Sequence, residues 1–136
     1  NIKTQSLQAC YDYPVLIFGI STWDFGEIQE DWLSHWDEVA NLDLQGKTLA
    51  LYGLGDQLGY SDWFLDALGL LHDLSLTAGA KIIGHWPIVG YQFNQSKALM
   101  ADQQHFVGLA LDDENQFELS ETRIQQWVEQ LLAVLV

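Results

Sequence analysis

The sequence predicts an α/β domain, a doubly wound parallel sheet with helices on both faces. Two observations carry that expectation. Apolar runs without polar alternation occur at residues 15–18, 47–52, 81–85 and 106–111, as expected of strands covered on both faces. Stretches of helical period follow them, so the order reads strand, helix, strand, helix, strand, interruption, strand, helix. Such alternation brings right-handed crossovers and strands that point the same way.

Residues 1–13 hold little pattern; Ile2 suits the end of a strand and Leu7 a short connecting turn. The strand at 15–18 runs into Gly19, Ser21, Thr22 and Gly26, which supply turn chemistry. The loop expected at 21–26 carries Trp23. Residues 27–40 place Ile28, Trp32, Trp36 and Val39 at helical spacing with acidic residues opposite. After Gly46 the second strand, 47–52, enters a glycine-rich loop, GLGDQLGY, at 53–60. Ser61 is the expected cap of a helix with Phe64, Ala67, Leu68, Leu71 and Leu74 toward the core and Gly79 at its left-handed end. The third strand, 81–85, is followed by an insertion at 86–105, rich in aromatics, Gly, Asn and Gln, before the last strand at 106–111. Ser120 is the expected cap of a final helix with Ile124, Trp127, Val128, Leu131, Leu132 and Leu135 on one stripe.

The chain of 136 residues, 49% hydrophobic and 18% charged, reads as a single domain able to bury a substantial core. Its formal charge of −14 excludes nucleic acid and anionic membrane surfaces as partners. The same charge suits either salt-sensitive steering onto basic-faced partners or plain solubility. No apolar stretch approaches the roughly 20 residues that span a bilayer, and the N-terminus shows no secretory pattern, so the expected location is the cytoplasm. The single cysteine, Cys10, excludes an internal disulfide and a cysteine-cluster metal site.

Ligands of open α/β sheets sit beyond the carboxyl ends of the strands. The loops at 21–26 and 54–60 then share one rim, and Trp23 and Tyr60 face one crevice. A flat ligand between two aromatics gains apolar burial plus about 0.5–1.5 kcal/mol of stacking per ring pair. Gly26, Gly53, Gly55 and Gly59 permit close backbone approach, and amides near Asp56 and Gln57 suit a ring edge. Other chemistries fit less well. The glycine spacing at 53–59 is one residue too long for a dinucleotide loop, and Asp56 repels a pyrophosphate. His35, His72, His85 and His105 are scattered, without a second ligand at one-turn spacing. Ser21 lacks a nucleophile-elbow context, and Glu27, Glu30, Asp31, Asp37 and Glu38 read as a solvated helix face.

Several segments in order carry a specific resemblance: ISTWDFGEIQEDW (20–32), GKTLALYGLGDQLGY (46–60), DALG (66–69), GHWP (84–87), GYQF (90–93) and FVGLALD (106–112). They resemble the flavodoxins, in particular the long-chain kind whose last strand is interrupted by an insertion of the size found at 86–105. Flavodoxins are themselves among the folds that illustrate the strand-end rule, so the position of flavin mononucleotide (FMN) comes with the resemblance.

The resemblance implies a flavodoxin-like α/β fold and a low-potential one-electron carrier, not an enzyme with its own substrate. By position, Trp23 matches the aromatic on one ring face and Tyr60 that on the other. Thr22, Asp24, Phe25 and Gly26 match the loop whose peptide reorients on reduction, and Gly55 and Asp56 the loop at the pyrimidine edge. With Ser21, Leu54 and Gly59 they complete the expected FMN-binding set. Asp24 and Phe25 stand where some relatives have glycine, which makes the peptide turn costlier. Surrounding acid lowers the potential: one carboxylate about 10 Å from the ring, at an effective dielectric near 20, contributes roughly 1.7 kcal/mol, on the order of 70 mV before screening. The implied partners are basic-faced reductases and acceptors, met transiently.

The family's first strand, first helix and phosphate-cradling loop have no counterpart in residues 1–13, where Thr4 and Ser6 stand without glycine. The expectation is an N-terminally incomplete chain that holds FMN weakly or not at all unless another chain supplies that part. A flavin-free interaction module and a two-electron quinone-reducing flavoenzyme are the alternatives.

Overall fold

In the computed structural model, which describes residues 1–135, the sheet is built outward from β1 (Val15–Trp23). This strand is longer than its apolar run: Gly19, Ser21, Thr22 and Trp23 belong to it and not to the loop. Its main chain turns back through 24–26 into β2 (Glu27–Ile28), which pairs antiparallel with Thr22 and Trp23. That hairpin overrides the helix expected at 27–40. What remains of it is two short pieces, α1 (Glu30–Leu33) and α2 (Trp36–Ala40), broken at His35, whose φ/ψ of −111°/9° leaves the helical basin. Trp32 and Val39 are buried as the periodicity indicated, and Ile28 and Trp36 pack against the core from its margin.

β3 (Thr48–Leu54) lies parallel to β1 in register from Val15↔Thr48 to Ser21↔Leu54. The next helix, α3 (Asp66–Thr77), starts five residues after Ser61. Ser61 does not cap it; the Ser61 carbonyl instead accepts the N–H groups of Asn94 and Gln95. Leu65, at φ 60° and fully buried, makes the entry into α3. Gly79, at φ 102°, ends the segment as the sequence indicated.

The last position of the parallel sheet is filled by two separate strands. β4 (Lys81–Ile83) pairs with Thr48–Ala50. The chain then breaks at Gly84, at φ 85° under the Trp127 indole, so the strand is shorter than 81–85. β5 (Trp86–Pro87) and β6 (His105–Phe106) form a small antiparallel pair at the two ends of the insertion. β7 (Leu109–Leu111) then pairs parallel with Tyr52–Leu54. The run 106–111 is therefore two strands, because Gly108 brings its backbone against that of Leu51 where a side chain would not fit. α4 (Phe117–Leu135) closes the chain. Ser120 lies inside this helix, where its hydroxyl donates to Asp113 Oδ1 at 2.6 Å.

Alternation along the strands assigns the two faces. Leu16, Phe18 and Ile20 are buried while Val15 and Ile17 are exposed, so β1 is covered on one face and not on both as its apolar run indicated; Gly53 is packed by Leu65 and Leu68 of the α3 side. Tyr52 turns the other way and meets Trp127 of α4 edge-on, with ring centroids 6.4 Å apart. The outer edge of β1 is met by side chains where no strand lies among the described residues: the Trp32 indole donates to Gly19 O at 2.7 Å, and Gln29 Oε1 accepts from Ser21 N–H. Residues 7–12 form a 3-10 turn (Leu7–Asp12) capped by the Ser6 hydroxyl, with Leu7 and Cys10 buried. Burial raises the Cys10 thiol pKa, which makes it an inert packing group.

Candidate functional site

β1 and β3 are parallel neighbours, so their carboxyl ends open at the same rim, and a cleft of about 700 Å³ lies there. That is within the usual range for a small-molecule pocket. Its walls are Ser21, Thr22, Trp23 and Asp24 from the first strand end, and Leu54, Gly55, Asp56 and Tyr60 from the second. Asp113 and Glu114, ahead of α4, complete it. Trp23 is 45% exposed. Trp23 and Tyr60 thus flank one opening, and neither is packed away in the core. No lysine or arginine lines the cleft, whereas four carboxylates do.

The remaining expected residues sit behind this wall. Phe25 is exposed and packs edge-on against Tyr60 and Trp63, at centroid distances of 5.8 and 5.1 Å, so it props the tyrosine. Gly26, at φ 86°, lies over Trp63 and Asp66, where a Cβ would be crowded. Asp24 carries the turn at φ 45°, a left-handed conformation that aspartate tolerates better than most residues. The first strand end is braced from below, because Thr22 Oγ1 accepts the Ala67 N–H at 3.0 Å. Gly59 faces its own loop and is held there by Asp56.

The loop from Gly55 to Tyr60 is fixed by hydrogen bonds that leave little to chance. Gly55 N–H donates to Leu111 O, and Tyr60 N–H to Asp56 O. Asp56 Oδ1 accepts from Leu58 N–H at 3.2 Å, Gly59 N–H at 2.7 Å and Asn115 Nδ2 at 2.7 Å. Burial pulls the Asp56 pKa upward, and those three donors outweigh it, so the carboxyl ends below its ordinary value.

Gln57 departs from the sequence expectation. It offers nothing to the cleft: it is 2% exposed, and its N–H donates to Asp112 Oδ2 at 3.0 Å. Its side-chain amide donates to Asp112 Oδ2 and Gln116 Oε1, and its Oε1 accepts Gln92 N–H from the insertion. Arg123 joins through Gln116 Oε1 at 2.7 Å, with its guanidinium 4.1 Å above the Tyr91 ring. Tyr91 OH accepts the Trp86 indole N–H and donates to Ala110 O. The cleft loop, the insertion and the turn before α4 therefore share one polar network. Sequence reasoning missed it, and the available signal was the dense polar run DDENQ at 112–116 directly after a fully buried strand.

The described residues contain no cluster of three metal-ligating side chains and no helix long and apolar enough to cross a membrane.

Comparison with known proteins agrees with this architecture. The family model described as Flavodoxin matches residues 1–127. Flavodoxin 2 of Escherichia coli K12 is 59% identical over 132 residues, covering 97% of this chain and 76% of that protein. A flavodoxin of Synechococcus elongatus is 49% identical, covering 96% and 74%. Among solved structures, Fusobacterium nucleatum flavodoxin bound to flavin mononucleotide superposes with a TM-score of 0.90 at 28% identity, covering 98% of this chain and 78% of that one. A parallel sheet of this topology, a family match over residues 1–127 and a relative at 59% identity agree: this chain belongs to the flavodoxin family, proteins that transfer electrons to redox partners.

Proposed function

We propose that this chain is a one-electron carrier whose redox group is non-covalently bound FMN, held with its ring between Trp23 and Tyr60. The observation that carries the reading is the pair of aromatics, Trp23 at the end of β1 and Tyr60 in the loop that follows β3, both lining one open cleft. FMN supplies the electron chemistry when bound, and the protein orients and tunes it.

Trp23 and Tyr60 cover the two ring faces, and Phe25 holds Tyr60 upright. Gly55 and Asp56 meet the ring edge. Ser21, Thr22 and Leu54 form the floor between the two strand ends, while Asp24, Gly26 and Gly59 shape the turns beside it. Asp24, Asp56, Asp113 and Glu114 surround the cleft with negative charge, which opposes electron addition and keeps the potential low. The overall charge of −14 suits brief encounters with basic-faced reductases and acceptors in the cytoplasm.

The test is titration of the chain with FMN, followed by flavin fluorescence. Saturable quenching that is lost in the Trp23→Ala/Tyr60→Ala double variant supports the reading. Absence of saturable quenching at about 1 mM flavin, which corresponds to less than roughly 4 kcal/mol of binding, removes it. Stepwise reduction of the bound flavin with a long-lived one-electron stage separates a carrier from a two-electron enzyme.

A further inference from the structure

The loop at 55–60 exposes Leu58 and Gly59, yet its amides are almost all committed. Gly55 N–H goes to Leu111 O, Gln57 N–H to Asp112, Leu58 and Gly59 N–H to Asp56 Oδ1, and Tyr60 N–H to Asp56 O. Among the described residues, the N–H of Asp56 itself has no protein partner. The Leu58 and Gly59 bonds depend on where the Asp56 carboxylate points, and an exposed residue outside the cleft's lining settles that. Asn115 Nδ2 lies 2.7 Å from Asp56 Oδ1 and 2.8 Å from Asp112 Oδ2. One amide group thus bridges a carboxylate of the loop to a fully buried carboxylate of the framework.

Asn115 is itself fixed. Its N–H donates to Asp112 Oδ1 at 3.0 Å, and that oxygen also accepts Glu114 N–H at 3.1 Å. The side chain therefore leaves a locked turn and reaches the loop with its two N–H donors directed at two acceptors. A neutral amide can do this between two carboxylates; an aspartate in its place would add a third negative charge and remove both donors.

We infer that Asn115 is a positioning residue for the cleft, pinning the Asp56 carboxylate onto the loop's own amides so that the Asp56 N–H is the loop's one donor left for a bound ring edge. The functional half of this inference rests on the cleft being the seat of FMN; the structural half does not. Without the Asn115 amide, Asp56 keeps only Leu58 and Gly59, and the carboxylate is free to swing outward, into space a ligand would occupy.

Two measurements on the full chain decide the matter. The first needs no flavin: amide hydrogen exchange by NMR on Asn115→Ala. The expected result is roughly tenfold faster exchange at Gly59, about 1.4 kcal/mol of lost protection, with core amides such as those of Leu49 and Leu51 unchanged. Unchanged exchange at Gly59, or acceleration shared equally by the core amides, overturns the inference.

The second is a double-mutant cycle on FMN affinity with Asn115→Ala and Asp56→Ala. If Asn115 acts through Asp56, its removal weakens FMN binding several-fold in the native background and has no effect once Asp56 is alanine. Additive losses would show that Asn115 acts independently of Asp56 and overturn it. Asn115→Asp is expected to exceed Asn115→Ala in both assays, and a milder effect counts against the bridging role. Should the unmodified chain fail to bind FMN, the proposed function falls while the exchange result still judges Asn115.

Discussion

Replacing Tyr91 by phenylalanine removes one oxygen from the point where the insertion is fastened to the sheet. That oxygen accepts the Trp86 indole N–H at 2.9 Å and donates to Ala110 O at 2.6 Å. Trp86 and Ala110 are both buried, so both groups lose their partner where water does not readily replace it. An unpaired buried polar group costs about 1–3 kcal/mol, which puts Tyr91→Phe at roughly 2–4 kcal/mol of lost stability near neutral pH. A second, independent signature follows from titration. Burial pushes the Tyr91 phenol up to about 12 from its ordinary value of 10.0, against the pull of Arg123. The folded state therefore keeps its proton after the unfolded chain has lost it. The resulting stability is fully present below pH 10 and declines as pH rises toward 12, by about 2.7 kcal/mol for two units. Phenylalanine cannot titrate, so the gap between native and variant proteins narrows across that interval. Urea denaturation followed by circular dichroism, at pH 8 and at steps from pH 9.5 to 11.5, measures both effects. A gap under about 0.5 kcal/mol at pH 8, or one that stays constant through the alkaline range, would refute the reasoning.

Other substitutions probe the cleft and its supports. Trp23→Ala and Tyr60→Ala should each weaken FMN binding by roughly 10- to 100-fold, or about 1.4–2.7 kcal/mol, without moving the urea midpoint appreciably, since both side chains lie at the surface; fluorescence titration beside denaturation checks this. Gly69→Ala should destabilise by about 1–3 kcal/mol despite the better helix propensity of alanine, because the new methyl falls on the backbone of Lys97 and Ala98; a variant as stable as the native chain would remove that close approach from the account. Asp56 has a depressed pKa in the folded chain, so its contribution is complete above the unfolded value near 4 and lost as pH falls through and below it. Asp56→Asn should therefore differ most from the native chain at neutral pH and converge with it in acid, as urea midpoints from pH 7 to 2.5 will show.

Much of the architecture was legible because burial on both faces leaves an unmistakable trace. The uninterrupted run from Leu49 to Leu51 describes a central strand, whereas of the stripe expected on the final helix only Trp127 and Leu131 are buried, and Ile124, Val128, Leu132 and Leu135 stay exposed. The helix expected at 27–40 misled for a physical reason. Trp32 and Val39 keep helical spacing, but Glu27 and Ile28 gain more by pairing with β1, and His35 breaks what is left. Ser61 and Ser120 looked like caps because a hydroxyl before an apolar stripe usually is one. Here tertiary partners, Asn94 in one case and Asp113 in the other, claim those groups.

At the cleft, Trp23 and Tyr60 were visible because strand polarity alone aligns their loops. The network of Gln57, Asp112, Asn115 and Gln116 was not, since Gln57 lies 55 and 59 positions from Asp112 and Gln116 and no local period connects them. Gln57 in particular read as part of a loop whose amides suit a ring edge, yet it is among the most buried polar side chains of the described residues.

The side-chain closure of the outer edge of β1 bears on how copies of this molecule behave in company. A bare strand margin is a template for recruiting another chain. Trp32 and Gln29 occupy the far half of that margin, so the stretch still open, residues 15–18, is too short to sustain much of a ladder between molecules. The surplus of negative charge adds a long-range repulsion that salt weakens within about 10 Å at 0.1 M. Resistance to pairing along this margin thus has two sources of different range, one geometric and indifferent to salt, the other electrostatic and dependent on it.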